Sequence, residues 1–209
     1  MLADGTLLAV NGMGCAAAAA GARALIDAGA DALVSWGMAG GLDPALGAGA
    51  ILLPSEILAP TRAPIATARP WRERLEEALG AEAPVAHGRL LTAAHAIATI
   101  EDKDALFRAT GAAAVDMESY AIAELASAQG LPFLAVRVIV DGAADRLPRP
   151  VAAAADAAGH LRIWRLIGAL ARTPSEFAPL LRLARRYQAA SRSLAAVARA
   201  GSLANARGP

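Results

Sequence analysis

The chain has 209 residues, of which 56% are hydrophobic and 19% are charged, and its formal net charge is +1. This balance excludes an intrinsically disordered chain, and the single cysteine, Cys15, excludes a scaffold held by internal disulfides. The three histidines, His87, His95 and His160, lack the spacing of a metal site, so no metal is predicted.

The predicted elements alternate between strands and helices. Apolar runs typical of strands lie at 6–10, 32–36, 50–54, 57–59, 85–92, 112–115 and 133–140. Helical spacing occurs at 15–28, 71–79, 103–110 and 117–129, and it continues after residue 150. This alternation predicts a single-domain α/β fold with a mostly parallel central sheet. We assign 1–149 to the α/β core and 150–209 to a basic helical extension packed on the same domain.

The distribution of charge distinguishes the two parts. Residues 1–145 carry 9 basic and 17 acidic side chains, whereas residues 146–209 carry 11 arginines and two acidic side chains. In the second part, apolar residues recur at helical spacing between arginines, namely Leu180, Leu183, Tyr187, Leu194 and Val197. The pattern favours a helix docked on its own domain or on another subunit, and a helix lying on an anionic membrane is the alternative.

No apolar stretch reaches the roughly 20 residues of a membrane span, and the N-terminus lacks the basic start of a signal peptide. We therefore expect a cytoplasmic protein, with weak peripheral contact to the inner membrane as an alternative for the basic helix.

Candidate ligand contacts follow the predicted strands, since ligands of open α/β sheets gather at the carboxyl ends of strands. The turn with Gly12 and Gly14 precedes a helix and would expose N–H groups suited to phosphate. A second turn is predicted at 37–41, where three glycines would let a substrate lie against the main chain. Asp116 and Glu118 fit the start of a helix, and Asp141 fits an ordinary turn. Each feature alone therefore has a structural explanation.

Together, three segments resemble the superfamily of purine nucleoside phosphorylases and methylthioadenosine/adenosylhomocysteine nucleosidases. They are GMAGGL at 37–42, VDMES at 115–119 and RVIVDGAAD at 137–145, and the likeness runs from about residue 6 to 145. Within this superfamily, GGLDPAL at 40–46, TGA at 110–112, GLPF at 130–133 and LLRLAR at 180–185 resemble the hopanoid-associated phosphorylase, which removes adenine from adenosylhopane.

The resemblance implies a three-layer phosphorylase/nucleosidase-like fold and cleavage of the N-glycosidic bond of an adenine nucleoside. Asp141 matches the acid at purine N7, Glu118 matches the carboxylate at the ribose hydroxyls, and Met117 matches the methionine packed on the ribose. The implied substrate-binding set is Met38, Ala39, Gly40, His95, Asp116, Met117 and Glu118. Gly12 and Gly14 are the candidates for binding phosphate, the one co-substrate considered, and no other cofactor is expected.

The chain departs from the superfamily pattern at three places. The family's first strand has no counterpart before residue 6, Ser35 stands where phosphorylases carry an arginine for phosphate, and residues 93–96 lack the usual glycine and acidic residue. Phosphorolysis and hydrolysis therefore both stay open. So do a methylthioadenosine/adenosylhomocysteine nucleosidase and a nucleoside-binding protein with impaired catalysis. A homo-oligomer is expected, and no nucleic-acid partner.

Overall fold

A computed structural model describes residues 5–10, 12–80, 83–147 and 177–200. Within these ranges lie five helices and eight strands. The helices are α1 (Cys15–Asp27), α2 (Arg69–Leu79), α3 (Ile100–Thr110), α4 (Ser119–Ala128) and α5 (Phe177–Arg199). The strands are β1 (Leu33–Gly41), β2 (Ile51–Leu52), β3 (Glu56–Leu58), β4 (Ile65–Ala66), β5 (Val85–Ala86), β6 (Arg89–Thr92), β7 (Ala114–Asp116) and β8 (Phe133–Asp141).

The strands form one sheet in the order β4-β3-β6-β7-β1-β8-β2-β5. The central strands β1 and β8 have nine residues each and pair in parallel along their length. The pairs β3–β6, β6–β7 and β2–β5 are also parallel, whereas β1–β7, β2–β8 and β3–β4 are antiparallel. The predicted α/β class is confirmed, and its sheet is mixed.

Helices cover both faces of the sheet. On one face, α1 and α4 bury side chains such as Ala22 and Ala123 against Leu33 and Ile139. On the other, α2 and α5 pack against a cluster that includes Trp71, Leu75, Val136, Ala190 and Val197. Full burial of a valine or leucine side chain stabilises the fold by about 1.5–3 kcal/mol. The sheet is therefore the middle of three layers.

Two predicted strands differ from the structure. Residues 6–10 form no strand, and Leu8 and Val10 are 65% and 86% exposed, because an apolar run becomes a strand only where a neighbour offers backbone partners. Residues 85–92 form two strands, because Gly88 has φ +144° and redirects the chain. β5 pairs with β2 at one edge, whereas β6 lies between β3 and β7. The predicted helical stretch 151–176, with His160, lies outside the described residues.

Candidate active site

Asp141 is turned into the site by a β-bulge. β1 and β8 pair residue by residue from Leu33 and Phe133 to Ala39 and Ile139, and then Gly40 lies opposite Asp141. Val140 is thus an extra residue in β8. In a regular strand Ile139 and Asp141 would face the same side, but the bulge directs Asp141 away from Ile139 and towards Lys103 of α3.

The glycines of β1 allow this close approach. A Cβ on Gly40 would lie 3.5 Å from Asp141 Oδ2, and a Cβ on Gly41 would lie 3.2 Å from Ile139 Cγ2 and 3.3 Å from the Asp141 carbonyl oxygen. The turn that three glycines predict at 37–41 is wrong, because β1 continues through Gly41. These glycines allow β1 to lie close to β8. The local sequence does not signal this contact, because the contact depends on the position of β8.

The Asp141 carboxyl is almost completely buried, with the residue 4% exposed. Lys103 Nζ forms an ion pair with Asp141 Oδ2 and also donates hydrogen bonds to the carbonyl oxygens of Gly142, at 2.8 Å, and Asp145, at 3.0 Å. Burial raises the pKa of Asp141, and the neighbouring Lys103 charge opposes this rise. A carboxyl that holds a proton more tightly than usual is suited to donate one. Sequence reasoning missed Lys103, whose one signal is that it is the only lysine of the chain.

Asp116 forms a buried ion pair with Arg137. The guanidinium donates to Asp116 Oδ2 from Nε at 3.0 Å and from Nη2 at 2.7 Å, and Nη2 also reaches the hydroxyl oxygens of Ser35 and Ser119 at 2.7 and 2.9 Å. Thr92 Oγ1 donates to Asp116 Oδ1 at 2.7 Å. The Asp116 carboxylate therefore has protein partners on both oxygens. It also accepts the Ser119 N–H at 3.1 Å, so it fixes the start of α4.

Glu118 joins two segments that are far apart in sequence. Its Oε1 accepts the Gly14 N–H at 2.8 Å, and its Oε2 accepts the Met117 N–H at 3.2 Å. The Cys15 thiol donates to the Met117 carbonyl oxygen at 3.2 Å. The Glu118 carboxylate thus lies at the N-terminus of α1, where the backbone favours an anion. This is the position that Gly12 and Gly14 suggested for phosphate.

The other predicted contact residues lie on β1 and in the loop after β6. Met38 packs with the cluster under α2 and α5, whereas Ala39 is buried on the opposite face of the sheet. Gly40 lies against Asp141, and His95 is exposed in the loop after β6. That loop meets the segment after β8, since the Leu147 N–H donates to the Ala98 carbonyl oxygen at 3.0 Å. The roles of these residues stay predictions.

The described residues contain no group of three or more histidine, cysteine, aspartate or glutamate side chains placed to hold a metal ion. None of the described helices is long and apolar enough to cross a membrane.

A comparison with protein-family models matches residues 3–162 to the phosphorylase superfamily. An α/β sheet with its acidic groups at strand ends agrees with this match, and the chain belongs to that superfamily. No protein among the curated sequences gives a significant match.

Solved structures with the same fold include nucleosidases and a hydrolase. A 5'-methylthioadenosine/S-adenosylhomocysteine nucleosidase, described as putative, from Francisella philomiragia has a TM-score of 0.67 at 20% identity, over 93% of this chain and 79% of that chain. Futalosine hydrolase of Helicobacter pylori has a TM-score of 0.64 at 16% identity, over 90% and 76%. The H. pylori methylthioadenosine/adenosylhomocysteine nucleosidase has a TM-score of 0.59 at 20% identity, over 63% and 65%. The match thus spans slightly less than two thirds of this last protein, and at such identities the likeness shows the fold.

Proposed function

We propose that the chain cleaves the N-glycosidic bond of an adenine nucleoside and that Asp141 protonates the departing base. One observation carries the proposal: a buried carboxyl with a raised pKa, placed by a bulge at the end of the central strand β8, in a chain of the phosphorylase superfamily. A proton on purine N7 makes adenine a neutral leaving group. General-acid catalysis of this kind contributes about 10²–10⁴-fold to a rate.

Glu118 and Met117 complete the site on the ribose side. Loss of the base leaves positive charge on the ribose, and a fixed carboxylate stabilises such charge as it develops. The Glu118 carboxylate is held by the N–H groups of Gly14 and Met117, and the Asp116–Arg137 pair fixes the segment that carries it. The flexible thioether of Met117 is suited to pack on a ribose that changes its pucker.

Contacts in the described residues favour water over phosphate as the nucleophile. Arginine is the side chain best suited to hold phosphate, but the Arg137 donors go to Asp116, Ser35, Ser119 and a backbone carbonyl. Of the two glycines predicted to bind phosphate, Gly12 and Gly14, the latter has its N–H bound to Glu118. We therefore propose hydrolysis, with phosphorolysis as the alternative that the assay below separates.

For the 5' substituent we propose a hydrophobic group, with adenosylhopane as the leading substrate. The sequence resemblance suggests this lipid, and one feature of α5 supports it. Arg186 of α5 pairs with Asp145, in the segment after Asp141, and α5 also exposes Leu181 and Tyr187, which are 48% and 57% accessible. An apolar 5' group that leaves the site beside α5 could cover these side chains.

A nucleosidase for smaller substrates is the second candidate. The F. philomiragia protein carries that description, and one structure of the H. pylori enzyme holds 5'-methylthioadenosine in the active site of an aspartate-to-asparagine variant. In this case the 5' group would be a short thioether, and α5 would contribute only to the fold.

The assay measures, by chromatography, the free adenine that the purified chain releases. Adenosylhopane, 5'-methylthioadenosine and S-adenosylhomocysteine are compared, each with and without phosphate. We expect adenine from at least one of them, fastest from adenosylhopane, at a rate independent of phosphate. A sugar phosphate product would establish phosphorolysis. Binding of all three without release of adenine would contradict an enzyme and identify a binding protein.

Replacing Glu118 by glutamine should weaken the binding of ribose-bearing ligands by about tenfold, because a charge-assisted hydrogen bond worth about 1.5–3 kcal/mol is exchanged for a neutral one worth about 0.5–1.5 kcal/mol. Free adenine should bind as before. Calorimetric titration of the nucleoside and of adenine measures both effects, and Glu124→Gln, at an exposed position of α4, is the control. A lower melting temperature with unchanged nucleoside affinity would leave Glu118 only as the link between α1 and α4.

If the substrate is a membrane lipid, α5 should give the protein weak affinity for anionic vesicles. Arg182 and Arg185 are exposed beside Leu181, and each arginine near such a surface contributes about 1 kcal/mol. We expect co-sedimentation with phosphatidylserine vesicles at low salt, reduced by the double variant Arg182→Gln/Arg185→Gln. The control removes two exposed arginines elsewhere, with Arg23→Gln/Arg108→Gln. Absence of sedimentation by the unmodified chain would contradict a membrane role of α5.

A further inference from the structure

Lys103 is the most unusual side chain near Asp141. It is the only lysine of the chain and is completely buried, although lysine is almost never buried without a partner. An ammonium group has three donors, and the three acceptors of Lys103 are Asp141 Oδ2 and the carbonyl oxygens of Gly142 and Asp145. All three belong to one short segment. Lys103 therefore holds the segment that carries the proposed acid.

A second layer of contacts fixes the same segment. Asp145 Oδ2 accepts the Gly142 N–H at 2.9 Å, which closes a tight turn directly after Asp141. Asp145 Oδ1 is bound by Arg186 of α5 at 2.8 Å. The turn is thus anchored to α3 by Lys103 and to α5 by Arg186. Among the described residues, hydrogen bonds to the Asp141 carboxylate reach only Oδ2, so Oδ1 is the oxygen left for a ligand.

We propose that Lys103 is a positioning residue of the general acid, which holds Asp141 Oδ2 so that Oδ1 is directed at the base. This inference rests on the proposed function of Asp141. Lys103 touches neither base nor ribose in this role, and it acts through the carboxylate alone. Its contacts with Gly142 and Asp145 make its position rigid, and misplacement of a catalytic group by about 1 Å can cost about 100-fold in rate.

Lys103 also sets the proton affinity of the acid. Burial raises the pKa of Asp141, the charges of Lys103 and Arg186 lower it, and the Asp145 carboxylate raises it. Loss of the Lys103 charge should therefore raise the pKa of Asp141 further. A general acid acts in its protonated form, so activity falls as pH rises through this pKa. The descending limb of the pH–rate profile should move to higher pH when Lys103 is neutralised.

The test is a double-mutant cycle with Lys103→Met and Asp141→Asn, in which kcat, KM and the pH profile are measured. We expect Lys103→Met to lower kcat by about 10- to 100-fold with little change in KM, and to move the descending limb to higher pH. In the Asp141→Asn background, Lys103→Met should cause no further loss, because a residue that acts through another has no effect once the other is gone. Arg108→Met removes an exposed charge from the same helix and should leave all three quantities unchanged.

A readout independent of turnover is the pKa of Asp141, followed by carbon NMR of its carboxyl in the unmodified chain and in Lys103→Met. A higher pKa in the variant supports the proposal. An unchanged pKa, or the same loss of kcat in both backgrounds, overturns it while Asp141 keeps its role. Retention of full activity by Asp141→Asn would overturn the proposed function instead. If Lys103→Met does not fold, Lys103→Gln, which keeps amide donors without the charge, is used for the same measurements.

Discussion

Replacing Asp141 by asparagine should lower the rate of adenine release by about 10²–10⁴-fold, because the amide has the shape of the carboxyl but cannot transfer a proton to the base. Nucleoside affinity should change little, since the NH2 group of the amide can still donate a hydrogen bond to N7 of the base. Steady-state release of adenine and calorimetric titration of the nucleoside measure the two effects. In the unmodified chain, the rate should fall as pH rises through the raised pKa of Asp141.

The matched control is Asp104→Asn, which removes an exposed carboxylate from the residue that directly follows Lys103 in α3. It should keep the full rate. Circular dichroism and the melting temperature establish that Asp141→Asn remains folded, since the substitution leaves the buried Lys103 charge without its partner. A folded Asp141→Asn variant with a near-normal rate would leave Asp141 only a structural role at the end of β8.

Replacing Arg137 by methionine should destabilise the fold by about 3–5 kcal/mol, the usual cost of removing one partner from a buried ion pair. Both side chains of the Arg137–Asp116 pair are almost fully buried. The guanidinium also donates hydrogen bonds to the hydroxyl oxygens of Ser35 and Ser119. Urea unfolding measures the loss. The double variant Arg137→Met/Asp116→Asn should recover part of it, because no buried charge is then left unpaired.

The control for this variant is Arg146→Met, which breaks an exposed ion pair with Glu101. Surface pairs contribute about 0–1 kcal/mol, so its effect on unfolding should be small. A loss of less than about 1 kcal/mol in Arg137→Met would show that Asp116 finds other partners. It would also contradict the view that the pair fixes the start of α4.

The central part of the fold could be predicted from the sequence because local patterns determine it. β8 is an apolar run interrupted by Arg137 and ended by Asp141, and the helical spacing of α2, α3 and α4 is regular. The exception within this part is β1, where three glycines suggest a turn and the structure has a strand. Glycine signals conformational freedom or close packing, and only the position of β8 decides which applies here.

The contacts of the site depend on pairs that are distant in sequence. The resemblance singled out Asp141 and Glu118, but their partners Lys103 and Gly14 lie 38 and 104 residues away. The bulge at Val140 reverses the direction of Asp141, and no composition signal marks it. Ser35 is a departure from the family pattern in sequence, and in the structure it is an acceptor for Arg137. The register of the sheet therefore determines which polar groups come into contact.

Protonation of the base at N7 is tested most directly by replacing that nitrogen with carbon. The best adenine nucleoside from the release assay is compared with its 7-deaza counterpart, which keeps the shape and the amino group but has no N7 to protonate. We predict rapid release of adenine from the first, no detectable release of the base from the second, and similar binding of both. Equal rates of base release from the two compounds would contradict Asp141 as a general acid that acts on the base.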